Sequence, residues 1–227
     1  MNDHYVHITL IVDRSGSMEV IKAEAEHAVN AFVDEQKKVE GKATLLLVDF
    51  DTEYRIVYEG DIAFAARYVL IPRSMTALLD AIDKGITQTG DRLSILDEAD
   101  RPAKVIFVVQ TDGQENSSYR ANAATVTDRI RHQTETYGWE FVFLGMGPDT
   151  FAQGHRLGFG TVAASADTGV AYVATYDFVG QTVTAVRNAT AGGLASNMSA
   201  AAIAVDADGN VTPNDPNTAT STKEGKS

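Results

Sequence analysis

The residues best equipped for chemistry lie close to the start of the chain. Asp13-Arg14-Ser15-Gly16-Ser17 sets one carboxylate and two hydroxyls at positions i, i+2 and i+4, which point the same way in an extended turn. Oxygen donors converging without nitrogen or sulfur suit a hard cation. Mg2+ is the first expectation, with Ca2+ or Mn2+ accepted by looser geometry. Two more oxygen donors stand far along the chain. Thr76 precedes the helical run ALLDAI, and Asp112 follows the apolar run VIFVVQT. Taken alone, Asp13-x-Ser-x-Ser also reads as a helix cap with local hydrogen bonds. Thr76 and Asp112 shift the reading towards a cation, because a cap needs neither.

The elements that must hold these residues alternate between strand and helix. Residues 5–12 alternate and then become continuously apolar, as a buried central strand does. A helical face (Ile21, Ala25, Ala28, Val29, Phe32) occupies residues 19–38. Residues 43–50 are a second buried strand, and 53–58 pair back on it across Asp51-Thr52. A short helix and connector fill 62–70 before Pro72. A helix over 77–87 is followed by a polar surface connection from Gly90 to Arg101. Beyond it come a strand at 105–109, a helix at 121–136 and a strand at 139–144. A short helix at 150–157 and a weak strand at 161–163 follow. The last helix covers 170–188, capped by Asp167-Thr168 and interrupted by Gly180. This order predicts an α/β fold, a mostly parallel sheet covered by helices on both faces. Ligands of such sheets lie beyond the carboxyl ends of strands, so Asp13 and Asp112 reach one crevice.

Composition narrows the alternatives. With 31 Asp+Glu against 19 Lys+Arg the net charge is −12, and no basic run offers a face to nucleic acid. The absence of cysteine removes disulfides, thiolate zinc sites and a cysteine nucleophile. Nothing reads as a membrane span, and the opening Met1-Asn2-Asp3-His4 lacks the marks of a signal peptide. A cytoplasmic protein is expected, or a virion component if the gene is a phage's. There is no Gly-x-x-x-x-Gly-Lys-Ser/Thr and no Gly-x-Ser-x-Gly. A nucleophilic Asp13 in phosphoryl transfer would want a carboxylate where Ser15 stands. The five histidines show no ligand spacing. Asp206-Ala-Asp208-Gly209-Asn210 opens like a calcium loop but lacks the turn glycine, so a polar turn is the better reading.

Asp13-x-Ser15-x-Ser17, Thr76 before ALLDAI, and Asp112-Gly113 together resemble the metal-ion-dependent adhesion site of von Willebrand factor type A domains. The resemblance covers roughly residues 5–165 and departs at Met75, where the family usually has glycine. It implies a Rossmann-like, doubly wound, six-stranded sheet with one antiparallel edge strand, which EYRIVY matches. It also implies a divalent ion held by Asp13, Ser15, Ser17, Thr76 and Asp112, with a partner's Glu or Asp completing the coordination. Arg14, Gln114, Glu115 and Asn116 would rim that site.

The expected function is therefore a non-enzymatic, metal-dependent protein-interaction module. A structural phage component using the fold as a scaffold is the alternative, and a metal-assisted hydrolase ranks below both, since no histidine adjoins the three loops. Residues 1–190 are expected to form the domain. Residues 191–205, rich in small side chains, are expected to be a contact surface for another chain, within a homo-oligomer or a particle, with folding back into the core as the rival reading. Residues 206–227 are expected to be a flexible polar tail.

Overall fold

β1 (Asn2–Asp13) buries both of its faces, and the architecture follows from that. Ile8, Leu10 and Val12 enter one core, while Ile11 enters another on the opposite side. A strand apolar on both faces needs a strand on each edge and a helical layer above and below. The computed structural model describes residues 2–189 and 202–214, and among these it supplies all four.

β2 (Lys42–Phe50) and β4 (Pro102–Thr111) flank β1 in parallel register, with Ile8 opposite Leu45 on one side and Ile106 on the other. β3 (Tyr54–Asp61) closes one edge antiparallel to β2. β5 (Glu140–Met146), β6 (Thr161–Ser165) and β7 (Ala202–Val205) extend the other side in parallel, and β8 (Val211–Pro213) ends it antiparallel. The order is β3-β2-β1-β4-β5-β6-β7-β8. The direction of winding reverses between β1 and β4, which opens a crevice at their carboxyl ends.

α1 (Lys22–Lys38) and α5 (Gly169–Asn188) pack on one face. α2 (Leu78–Ser94), α3 (Ala123–Tyr137) and α4 (Thr150–Leu157) pack on the other. Helix α2 comes close because of Gly85. A Cβ there would stand 2.5 Å from Ile11 Cδ1 and 3.0 Å from Phe107, inside contact distance of the two central strands. No helix among the described residues is long and apolar enough to cross a membrane.

The differences from the sequence reading have local causes. The first helix begins at Lys22, because residues 16–21 are drawn into a tighter 3-10 turn, tied by Gly16 N–H to Ser74 O at 3.1 Å. α2 runs through Gly90 to Ser94, since Thr89 and Leu93 are buried on its inner face. Gly180 does not interrupt α5; its carbonyl accepts a bond from Gln36 Nε2 at 3.1 Å. The expected short helix and connector are both present, as a 3-10 turn at Ile62–Phe64 followed by an irregular stretch over 65–73.

The sheet also has eight strands instead of six. β7 adds buried Ile203 and Val205 to the core, so residues 202–205 fold back into the domain. The polar stretch after it starts as an ordered turn. Asp206 accepts from the amides of Asp208 and Asn210 before β8 begins. The remainder of the expected contact segment, 191–201, and of the tail, 215–227, lies outside the described residues.

Candidate metal site

β1 ends in Asp13 and β4 ends in Thr111, side by side at the reversal of the sheet. Asp13 is 0% exposed. One of its carboxylate oxygens accepts Ser15 N–H at 2.7 Å, and the other accepts the Thr111 hydroxyl at 2.6 Å. The chain of oxygens continues outward. Ser15 Oγ lies 3.1 Å from Ser17 Oγ, and Ser17 Oγ donates to Asp112 Oδ1 at 2.9 Å. Thr76 arrives from a third loop. A Cβ placed on Gly113 would sit 3.6 Å from Thr76 Oγ1 and 3.8 Å from Ser17 Oγ, so both hydroxyls border the space that Gly113 leaves open. The structure thus brings Asp13, Ser15, Ser17, Thr76 and Asp112 to one mouth of the crevice.

Three loops hold that mouth. Arg14 N–H bonds Phe50 O, and Arg73 N–H bonds Arg14 O, both at 2.8 Å. Ala77 N–H bonds Asp51 O at 2.9 Å. Ser74 adopts the left-handed region at φ 64°, the only non-glycine residue described that does so. That turn lets the chain bond Gly16 and present Thr76 with Met75 in the place where glycine was expected.

The expected rim divides. Gln114 is exposed at the edge and donates to Asp149 Oδ2 at 2.9 Å. Asn116 is exposed too, and its side-chain carbonyl accepts Thr76 N–H at 2.9 Å. Glu115 points inward as a clamp. Its carboxylate accepts the amides of Leu79, Ser117 and Ser118 at 2.9, 2.8 and 2.6 Å, capping the first turn of α2 from another loop. Arg14 is only 4% exposed and turns away from the mouth towards Asp49 and Asp51. Sequence reasoning missed Thr111, the hydroxyl that ends β4 after Gln110, and Asp51, whose carbonyl holds the Thr76 loop.

Electrostatically the site lacks a positive charge. Burial pushes the Asp13 carboxyl up to about 6, and nearby Asp112 adds to the rise, against hydrogen bonds from Thr111 and Ser15 that pull it down. Burial also raises Asp112, which Ser17 partly offsets. No Lys, Arg or His among the described residues forms an ion pair with either acid. Two carboxylates without a counter-charge, beside three hydroxyls, match the needs of a hard divalent cation. The described residues contain no group of three or more His, Cys, Asp or Glu that could hold a metal. An ion here would therefore depend on hydroxyls and water as much as on carboxylates.

Comparison with solved structures places the fold. A pilus adhesin, SpaC of Lactobacillus rhamnosus GG, superposes with a TM-score of 0.59 at 16% identity over 81% of this chain and 30% of its own. The vWF domain of the type V pili tip protein Mfa5 of Porphyromonas gingivalis gives 0.61 at 10% identity, over 84% of this chain and 99% of that domain. Proximal thread matrix protein 1 of the mussel byssus, in a structure with a zinc-occupied MIDAS motif, gives 0.53 at 14% identity over 79% and 46%. No protein-family model matches the sequence, and no curated protein does. The chain has the von Willebrand factor type A fold, and it spans less than half the length of SpaC and of the byssus protein.

Proposed function

We propose that the chain is a divalent-cation-dependent protein-interaction module, in which Asp13, Ser15, Ser17, Thr76 and Asp112 hold the ion and a partner's Glu or Asp completes its shell. The observation that carries this reading is the continuous run of oxygens from Thr111 through Asp13 and Ser15 to Ser17 and Asp112, built on two buried or half-buried acids with no basic neighbour. Two carboxylates at most balance a doubly charged ion, so the ion keeps its attraction for a third. That the similar folds include a pilus adhesin, a pili tip protein and a byssus matrix protein with a zinc-occupied MIDAS motif supports a binding role over catalysis. So does the chemistry around the cluster, where among the described residues no histidine hydrogen-bonds to any of the five.

Titration calorimetry with Mg2+ and Mn2+ tests the reading. One site should saturate in the native chain and vanish in Asp13→Ala with the fold retained. Equal binding by Asp13→Ala, or no binding by the native chain, would overturn it. A pull-down from the native host, with and without chelator, then asks whether partner capture needs the ion.

A further inference from the structure

The connector between β3 and α2 ends at the candidate site, and along residues 68–71 its side chains alternate between buried and exposed as those of a strand do. Tyr68 and Leu70 face inward. Both are buried, and their backbones are tied to α1: Tyr68 N–H bonds Asn30 Oδ1 at 2.8 Å, Tyr68 O accepts Asn30 Nδ2 at 3.0 Å, and Leu70 N–H bonds Glu26 Oε2 at 3.1 Å. Val69 and Ile71 alternate with them and face outward, 56% and 53% exposed. Among the described residues nothing hydrogen-bonds to the backbone amide or carbonyl of either. An extended segment with one side bonded to the protein and the other free is a strand edge.

Charge marks the same strip. In a chain of net charge −12, residues 62–79 contain no Asp or Glu, and their Arg67 and Arg73 neutralise Asp34 and the Asp51–Glu53 pair. The strip runs on through Met75, which is 52% exposed, to Thr76. An acidic ligand that the rest of the surface repels meets an apolar track of balanced charge here, leading to the oxygen cluster.

We infer that residues 69–71 receive an extended segment of the partner as an added strand, with apolar side chains over Val69 and Ile71 and an acidic residue reaching the cation site. This inference rests on the metal-site reading and names the chemistry of its partner. The ladder supplies affinity through main-chain bonds, and the carboxylate fixes the register. From Ile71 to Thr76 is five residues, at most about 17 Å of extended chain, so the acid lies within about five residues of the apolar pair.

A dodecapeptide library displayed on phage, selected on the full chain in Mg2+, tests the inference. The selected sequences should share one acidic residue within about five positions of two alternating apolar residues. Their binding should fall at least tenfold with Val69→Asp/Ile71→Asp, a pair of exposed positions, while Mg2+ titration of that variant stays unchanged. Should the double variant not fold, amide hydrogen exchange on the native chain replaces it: bound peptide should slow exchange at Val69 and Ile71. Peptides that bind the variant equally, that leave those amides unprotected, or that lack the apolar pair would overturn the inference while leaving the metal site standing. So would amides already protected in the chain alone, or the recovery of no binders from a chain that takes up Mg2+. Failure of Mg2+ itself to bind would mark the metal-site reading as the error and remove this inference with it.

Discussion

The Arg14 guanidinium lies 3.2 Å from the Asp51 carboxylate, pointing away from Asp13, its neighbour in sequence. The same guanidinium approaches Asp49 at 3.3 Å, although neither nitrogen is aligned for a hydrogen bond. Both aspartates are fully buried, and Arg55 and Arg73 reach them from outside. The first loop is thus pinned from below by charge while its upper side offers oxygen to the crevice. Arg14→Met would leave the two buried carboxylates with only Arg55 and Arg73 as counter-charges, at a cost below the ~3–5 kcal/mol of a fully unpaired buried charge. Urea denaturation should show the lower midpoint, and the loosened loop should weaken Mg2+ binding in calorimetry.

Gly113 permits a test that touches no donor. Its missing side chain leaves the space bordered by the Thr76 and Ser17 hydroxyls. Gly113→Leu should fill that space and abolish Mg2+ binding, while Gly113→Ala, whose added carbon meets only ordinary contacts, should retain most of it. Isothermal titration of the two variants side by side checks this. Equal binding by both would place the ion elsewhere.

Glu115 predicts a different outcome from a rim residue. It caps α2 through Leu79 N–H and anchors Ser117 and Ser118. Removing it in Glu115→Ala should cost about 1–3 kcal/mol, because several part-buried amides lose their acceptor. Thermal melting should show the loss without any metal or partner present.

His7 supplies a pH dependence. It is buried in β1 with Nδ1 2.8 Å from Thr44 Oγ1 and Nε2 3.2 Å from Thr9 Oγ1, and burial, helped by the charge of Arg92, lowers it from 6.5 to about 3. Between those values the unfolded chain binds a proton that the folded chain refuses. The contribution of His7 to stability therefore falls as pH falls through that window, by about 1 kcal/mol per pH unit. Asp13, held at about 6 in the metal-free chain, works the other way below that value. The test is therefore the comparison of urea melts at pH 7 and pH 5 for the native chain and His7→Gln. The variant should lose less stability, or gain more, on acidification.

What the sequence disclosed follows the range of each interaction. The strand ends at Asp13 and Asp112 were legible because continuous apolar runs stop there, and the spacing of Ser15 and Ser17 is a local property. The direction of Arg14 was not, since it depends on Asp49 in β2 and Asp51 just after it. Nor was the clamp role of Glu115, which is defined by amides on α2 some 36 residues earlier in the chain. β7 is short, and its Ala202 and Ala204 blur the alternation that buried Ile203 and Val205 would otherwise show. Residues 90–94 looked polar because only Leu93 among them packs inward on α2.

The pairing of β1 with β4 joins stretches of chain that lie on either side of the 95–101 link, where Ile95 is exposed. Asp13, Ser15, Ser17 and Thr76 belong to the first stretch, Thr111 and Asp112 to the second. Neither fragment, expressed separately, would own a whole cluster; only their reunion across the central ladder assembles one. A ligand that needs both acids would consequently act as a reporter of fragment complementation. By mass action it would also tighten the two halves upon each other.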